Sequence, residues 1–362
     1  MKLLFYLHHP AQFHLLKHII KYFATKNKII VVATKKDVLE DLLADYGIDF
    51  INVLPKGRKD NKLAIALGLL KQDISLLKIC IRQKPEILIG TSTEITHIGW
   101  LLKIPSIFLN EDDISVISLV GKVAYPFAKH LLLPNITDSG KWSKKVISYN
   151  SYHELAYLHP NNFTADKKIA EKYVDVNNPY FILRFAKLGA HHDTDIKGIS
   201  DEIAMSVIKI LKSYGKVFIT SERELAKEFE KYRLSVNPLD MHNVMAFSSM
   251  YIGDSQTMAA EAGVLGVPFI RFNDFVGRIG YLDELENKYQ LGFGIKTNEI
   301  DKLLNTIREL VSKDNLKEIY QERRQKMLSE KIDYAQFLKW LIENYPNSVD
   351  IMKNNPDYQY NF

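Results

Sequence analysis

The residues with the clearest chemistry lie between Met250 and Phe272, in the stretch MYIGDSQTMAAEAGVLGVPFIRF. Gly253-Asp254-Ser255 forms a polar turn between a run with strand character and an Ala-rich helical run. At such a turn the first helical N–H groups are unpaired and the positive end of the helix dipole faces outward. That geometry suits a phosphate, and Ser255 adds a hydroxyl donor. Asp254, Ser255 and Gln256 are therefore candidate ligand contacts. Glu261 follows one to two turns later, where a carboxylate can accept hydrogen bonds from sugar or ribose hydroxyls. The segment asks for a phosphorylated, hydroxyl-rich ligand, and a nucleotide sugar fits it best.

Other loops that follow strands carry further candidates. Leu7-His8-His9-Pro10-Ala11-Gln12-Phe13-His14 joins the first strand to the first helix. Imidazoles titrate near neutrality, so His14, in the helix's first turn, is a candidate general base for a sugar hydroxyl; the alternative is that it packs beneath the loop. Gly90-Thr91-Ser92-Thr93-Glu94 can cap a helix or hold a ligand. Asn110-Glu111-Asp112-Asp113 crowds three acids at a strand end, which can raise one pKa. These acids could serve as base or hydroxyl acceptors or bind a divalent ion, with a solvated acidic turn as the alternative. In the loop after Phe181–Phe185, Arg184 and Lys187 can neutralise a diphosphate, and His191 or His192 can sit over the same ligand. His191-His192 has no third ligand at metal-site spacing, so no metal is expected. Arg223 and Arg278 are further anion candidates, with solvated surface charge as the plainer use of each.

Several classes are excluded or disfavoured. There is no Gly-x-x-x-x-Gly-Lys-Ser loop, no Gly-x-Gly-x-x-Gly after the first strand and no Gly-x-Ser-x-Gly elbow. These absences argue against a P-loop nucleotidase, a dinucleotide oxidoreductase and an α/β-hydrolase. The 362 residues are 46% hydrophobic and 25% charged, an ordinary globular balance with room for two domains. The single Cys80 rules out a disulfide framework and points to a reducing, cytoplasmic setting. No apolar run is long enough to span a bilayer, and Met1–Leu7 reads as a strand without a cleavage site. The net charge of +5 permits attraction to anionic lipid or substrate, and no nucleic-acid motif is present.

The elements that must position these loops alternate. Leu3–Leu7, Ile29–Ala33, Phe50–Val53, Ile87–Ile89 and Ile107–Leu109 read as strands, separated by helical patterns at Gln12–Thr25, Asp37–Tyr46, Leu63–Arg82 and Thr93–Leu102. Ser139–Lys172 lacks periodicity and reads as a linker and cleft rim. A second series has strands at Phe181–Phe185, Val217–Thr220, Tyr251–Gly253 and Phe269–Phe272, with helices at Ile199–Lys212, Asp240–Phe247 and Thr257–Leu265. The pattern is then helical from Gly294 to about Tyr345, and Pro346–Phe362 is polar and turn-rich. The expectation is an α/β chain of two doubly wound domains, 1–170 and 171–339, with 340–362 packing back on the first. Such domains face across a cleft and bind ligands there, at the carboxyl ends of their strands.

Particular motifs carry a family resemblance. His9-Pro10-Ala11-Gln12-Phe13-His14-Leu15-Leu16-Lys17, Lys84–Gly90, Ile104-Pro105-Ser106, Asn110-Glu111-Asp112, Tyr152–Pro160 and Tyr180–Arg184 resemble an uncharacterised prokaryotic family of the glycosyltransferase-B (GT-B) superfamily. More distantly, Asp254, Ser255, Glu261 and Ala262 are similar to the nucleotide-binding segment of non-hydrolysing UDP-N-acetylglucosamine 2-epimerases. Glu111 matches an acid of those enzymes, and His191-His192 falls where they carry a His. Their Asp-Thr-Thr turn is replaced by Thr91-Ser92-Thr93, and their Gly-Thr-Arg-Pro-Glu opening is absent.

The resemblance implies two Rossmann-like domains and a UDP-linked sugar donor held by Ser255, Arg184 and Glu261. Transferases of the superfamily often place a general-base His where this chain has His14. The implied reaction is inverting transfer to a sugar or lipid-linked acceptor without a metal, in surface polysaccharide or glycoconjugate synthesis. Lys56–Lys59 permits contact with the inner membrane face. The alternatives are an epimerase or hydrolase of nucleotide sugars and a non-catalytic nucleotide-sugar-binding protein.

Overall fold

In the computed structural model, residues 1–35, 38–54, 62–186 and 198–362 are described, with side chains omitted for 62–67. Two compact units emerge, Met1–Tyr157 with Ile332–Phe362, and Leu158–Lys331.

The first unit opens with β1 (Lys2–Leu7), α1 (Pro10–Ala24), β2 (Lys28–Ala33), α2 (Leu39–Asp45) and β3 (Ile51–Asn52). Pro10 starts α1, where its missing N–H costs nothing, and the His9 ring accepts from Ala11 N–H as N-cap. There follow α3 (Lys62–Gln83), β4 (Ile87–Gly90), α4 (Thr93–Leu102), β5 (Ser106–Leu109), α5 (Ser118–Val123), β6 (His130–Pro134) and β7 (Val146–Tyr149). All strands pair in parallel, in the order β3-β2-β1-β4-β5-β6-β7. β1, β4, β5 and β6 are buried almost throughout, as continuous apolar runs require when helices cover both faces.

The second unit begins within the single turn α6 (Leu155–Leu158), followed by α7 (Lys167–Ala170). Next come β8 (Tyr180–Phe185), α8 (Asp201–Leu211), β9 (Lys216–Ser221), α9 (Met241–Ala246), β10 (Met250–Gly253), α10 (Gln256–Val264) and β11 (Phe269–Phe272). α11 (Gly280–Asp283), β12 (Gly292–Ile295), α12 (Ile300–Val311) and α13 (Leu316–Glu330) complete it. Its five parallel strands run in the order β12-β11-β10-β8-β9. The chain then returns to the first unit as α14 (Tyr334–Glu343) and α15 (Asn347–Asn354). The architecture is α/β, with two Rossmann-like parallel sheets.

Two sequence expectations need correction. Ser139–Lys172 is not a bare linker, because β7 lies inside it as the edge of the larger sheet. Tyr149, Tyr152 and Tyr157 from that stretch are buried; Tyr149 stacks on Tyr334 at 4.3 Å. An edge strand of four residues beside aromatic clusters gives too short a period to read. Pro346–Phe362 forms α15 and a 3₁₀ turn whose Gln359 accepts from Asn150 N–H at 2.6 Å. Finally, β12 was missed because Gly292 and Gly294 dilute its pattern; these glycines leave room for Phe269 and Glu286.

Gly90, the last residue of β4, lies beside Tyr6 of β1, and a Cβ there would overlap the Tyr6 carbonyl oxygen. Backbone cannot swing aside as a side chain can. Gly90→Ala is expected to destabilise the fold by about 1–3 kcal/mol in urea unfolding; an unchanged midpoint would show that the β1–β4 seam tolerates the methyl.

Candidate functional site

In the second unit the polar residues gather at the carboxyl ends of β8, β9 and β10. The parallel register sets Thr220 of β9 beside Arg184 of β8, and Arg184 beside Gly253 of β10. A Cβ on Gly253 would collide with the Arg184 side chain and the Tyr251 ring, so glycine keeps this row closed. Ser255 caps α10 by accepting from Met258 N–H, and Ser255 to Met258 stay partly exposed. The helix's N-terminal end is therefore open to a ligand.

Three polar atoms, on the first residue of α10 and along the row of strand ends beside it, are buried without a hydrogen-bond partner among the described residues: Gln256 Oε1, Arg184 Nε and Thr220 Oγ1. Buried polar atoms are normally satisfied, so this grouping marks a place where a polar ligand belongs. Arg184 also pairs with Glu222 through its guanidinium.

Asp254 has another task. It is 2% exposed; Oδ1 accepts from Ala186 N–H at 2.6 Å, and Oδ2 from Ile199 N–H at 3.3 Å. Its carbonyl accepts from Asn273 Nδ2 at 3.0 Å. Burial lifts its pKa to about 6, while the backbone donors pull the other way. The expected ligand contact thus gives way to a positioning role, since both carboxylate oxygens hold backbone. Glu261 is buried, with Oε1 2.9 Å from His242 Nε2 of α9. Reading the sequence missed His242 because its partner lies on the next helix. Arg223 donates to the Ile199 carbonyl and lies over the Phe185 ring, whereas Arg278 is exposed over Phe275. Lys187, His191 and His192 lie outside the described residues.

The first unit carries its own cluster at strand ends. His8 Nδ1 lies 2.6 Å from Ser92 Oγ, and Gln12 Oε1 accepts from His8 N–H at 2.7 Å. His14 is 7% exposed on α1, edge-on to Phe13 and tilted against Tyr157, with Nδ1 3.4 Å from Lys17 Nζ. Glu111, after β5, accepts from His153 N–H at 3.2 Å, and His153 Nδ1 lies 3.5 Å from the same oxygen. The His153 ring stacks on Tyr334, and its Nε2 is buried without a partner among the described residues. A carboxylate behind one ring nitrogen leaves the other to exchange a proton. His153 was passed over as part of the supposed linker, although it sits in the motif Tyr152-His153-Glu154.

Two acids that follow adjacent strands have shifted titrations. Burial raises Glu94 to about 7. Burial, with the Glu111 charge beside it, raises Asp112 to about 7. In the loop after β5, Asn110 Nδ2 donates to the Asp112 carbonyl and to Tyr125 Oη, fixing the loop.

A carboxyl group whose folded pKa exceeds its unfolded one stabilises the fold relative to high pH. That contribution is complete below the unfolded pKa and is lost as pH rises through the folded value. For Glu94 the loss runs from about pH 4.5 to about 7 and amounts to at most about 3 kcal/mol. Urea unfolding across that window should show wild-type stability declining, with a shallower decline in Glu94→Gln. Parallel curves would mean that Glu94 titrates normally.

Solved structures with the same architecture are similar over nearly the whole chain. A UDP-GlcNAc 2-epimerase from Neisseria meningitidis, bound to UDP-GlcNAc, shares 17% identity at a TM-score of 0.63, covering 95% of this chain and 99% of its own. S. aureus MnaA, solved with UDP, shares 13% identity at 0.66, covering 98% and 97%. The spinosyn rhamnosyltransferase SpnG, complexed with spinosyn aglycone, shares 10% identity at 0.58, covering 94% and 100%. At these identities the likeness establishes the GT-B fold. No curated protein sequence matches. Residues 3–336 match the family described as "Protein of unknown function (DUF354)", and the chain belongs to that family.

Proposed function

We propose that the chain is a nucleotide-sugar-dependent glycosyltransferase of GT-B type. The observation that carries this reading is the set of polar atoms on Gln256, Arg184 and Thr220, buried without a partner among the described residues, at the open N-terminal end of α10 and along the strand ends beside it. A diphosphate fits there: the helix end and Ser255 supply neutral donors, and the Arg184 guanidinium supplies charge. Glu261, oriented by His242, accepts from the ribose hydroxyls. The similar structures solved with UDP or UDP-GlcNAc support a uridine nucleotide. An acceptor hydroxyl then attacks the anomeric carbon, and the bond from that carbon to the diphosphate oxygen breaks. The diphosphate departs with its charge stabilised by α10 and Arg184. The hydroxyl proton passes to an imidazole, His14 or else His153 backed by Glu111.

A second reading has its own support. Glu94 and Asp112, raised toward neutrality at adjacent strand ends, can both give and take protons near pH 7. Epimerisation at sugar carbon 2 needs such a pair. It requires no acceptor and would incorporate solvent deuterium at that carbon.

Calorimetry with UDP tests the nucleotide site. Arg184→Ala should weaken binding by at least about tenfold, the scale of one charged hydrogen bond. His242→Ala should weaken UDP binding yet leave 2′,3′-dideoxy-UDP unaffected, since only the ribose hydroxyls reach Glu261. Wild-type protein that binds no nucleoside diphosphate would sink the reading.

For the base, His14→Ala should lower the transfer rate by about 10²–10⁴-fold with donor affinity unchanged. Retained activity in that variant, with loss in His153→Ala, would assign the proton to His153. Product formed from donor alone, with deuterium at carbon 2, would favour epimerisation.

A further inference from the structure

α3, α4 and α5 cover one side of the larger sheet, where Leu76, Ile95 and Ala124 pack with strand residues Leu4, Leu88 and Phe108. They are tied sideways. His97 Nδ1 of α4 lies 3.0 Å from Asp73 of α3, and its Nε2 lies 2.9 Å from the Val123 carbonyl of α5. The three helices therefore present one joint outer face.

That face has an unusual make-up. Leu70, Ile74, Lys78 and Ile81 fall at helical spacing on the outside of α3. Every exposed residue on the described part of α3 is apolar or basic: Leu70, Lys71, Ile74, Lys78, Ile81 and Arg82. α4 adds Trp100, 64% exposed, and Leu101, with Lys103 at its end. α5 adds Leu119, 63% exposed, and Lys122. No carboxylate is exposed on the described part of these helices. Nor has any of the five cations an ion-pair partner among the described residues, although Lys26, Lys288, Lys302 and Lys313 elsewhere each pair with a glutamate.

Exposed Trp, Leu and Ile in one patch mark a surface that something covers, and unneutralised cations among them call for an anionic partner. A second copy docking by this same face would set like charges together. No helix among the described residues is long and apolar enough to cross a membrane, so lipid contact here is contact at the surface.

We propose that the outer face of α3, α4 and α5 docks on an anionic lipid bilayer. Trp100, Leu101 and Leu119 enter the headgroup–acyl boundary, while Lys71, Lys78 and Arg82 meet lipid phosphates and carboxylates. This surface is distinct from the nucleotide site and would serve a transferase or an epimerase alike.

Cosedimentation of the full chain with vesicles tests it. Binding is expected to phosphatidylcholine mixed with phosphatidylserine and not to phosphatidylcholine alone, and it should weaken as salt rises. Lys71→Glu with Lys78→Glu should cut binding by at least about tenfold, given roughly fivefold per cation near an anionic surface. Trp100→Ala with Leu101→Ser should also reduce it, and both variants should keep the wild-type thermal midpoint. Lys317→Glu with Lys326→Glu, an equal charge change on α13, should bind as wild type does. The proposal is overturned if the mixed vesicles fail to bind, or if the α13 variant loses as much as the α3 variant. It is equally overturned if light scattering shows a dimer that Trp100→Ala dissociates, because the face would then be covered by a second copy.

Discussion

Parallel strand pairing is the constraint on which the rest of this protein depends. It sends every carboxyl end of a sheet to one edge and requires a covering element between successive strands. With both faces covered, strand interiors admit little but apolar residues, as in Leu3-Leu4-Phe5-Tyr6-Leu7 and Leu131-Leu132-Leu133. Polar chemistry is therefore confined to the strand ends, and in both units it is found there. Arg184, Thr220 and Gly253 end or nearly end neighbouring strands in one sheet, and Gly90 and Leu109 open the polar loops of the other.

The carboxylates that follow these strands divide by what reaches them. Asp254 receives two backbone N–H groups and joins the chain at Ala186 to the chain at Ile199. Glu261 is met by an imidazole and Glu111 by a histidine backbone and ring. Glu94 has a single weak side-chain donor, Thr93 Oγ1 at 3.3 Å, and burial governs its titration. A carboxylate saturated by backbone positions the site; one answered by an imidazole has a partner able to move a proton; one left in a dry environment becomes an acid near neutrality. The same residue type thus supplies three kinds of behaviour at strand ends.

Glycine has a comparable division of labour. Gly253 keeps a row of side chains close across three strands, and Gly90 lets two strands approach at the point where the first unit's polar loops begin. Both stand next to the candidate chemistry, where a methyl group would push neighbouring backbone or the Arg184 side chain out of line.

Taken alone, the sequence determined the alternation of strands and helices, hence the α/β class, and marked the turn at Gly253-Asp254-Ser255. Both signals are local: apolar runs of strand length, helical periodicity, and small polar residues at a helix start. Tertiary structure decided which polar groups find partners. The pairing of Glu261 with His242 and of Glu111 with His153 joins residues far apart in sequence, which no local period encodes. It also decided that Asp254 would be sealed by backbone donors while Arg184, Thr220 and Gln256 kept buried atoms without a partner among the described residues. Burial and satisfaction are set by what packs around a group, and that is fixed only when distant strands come together.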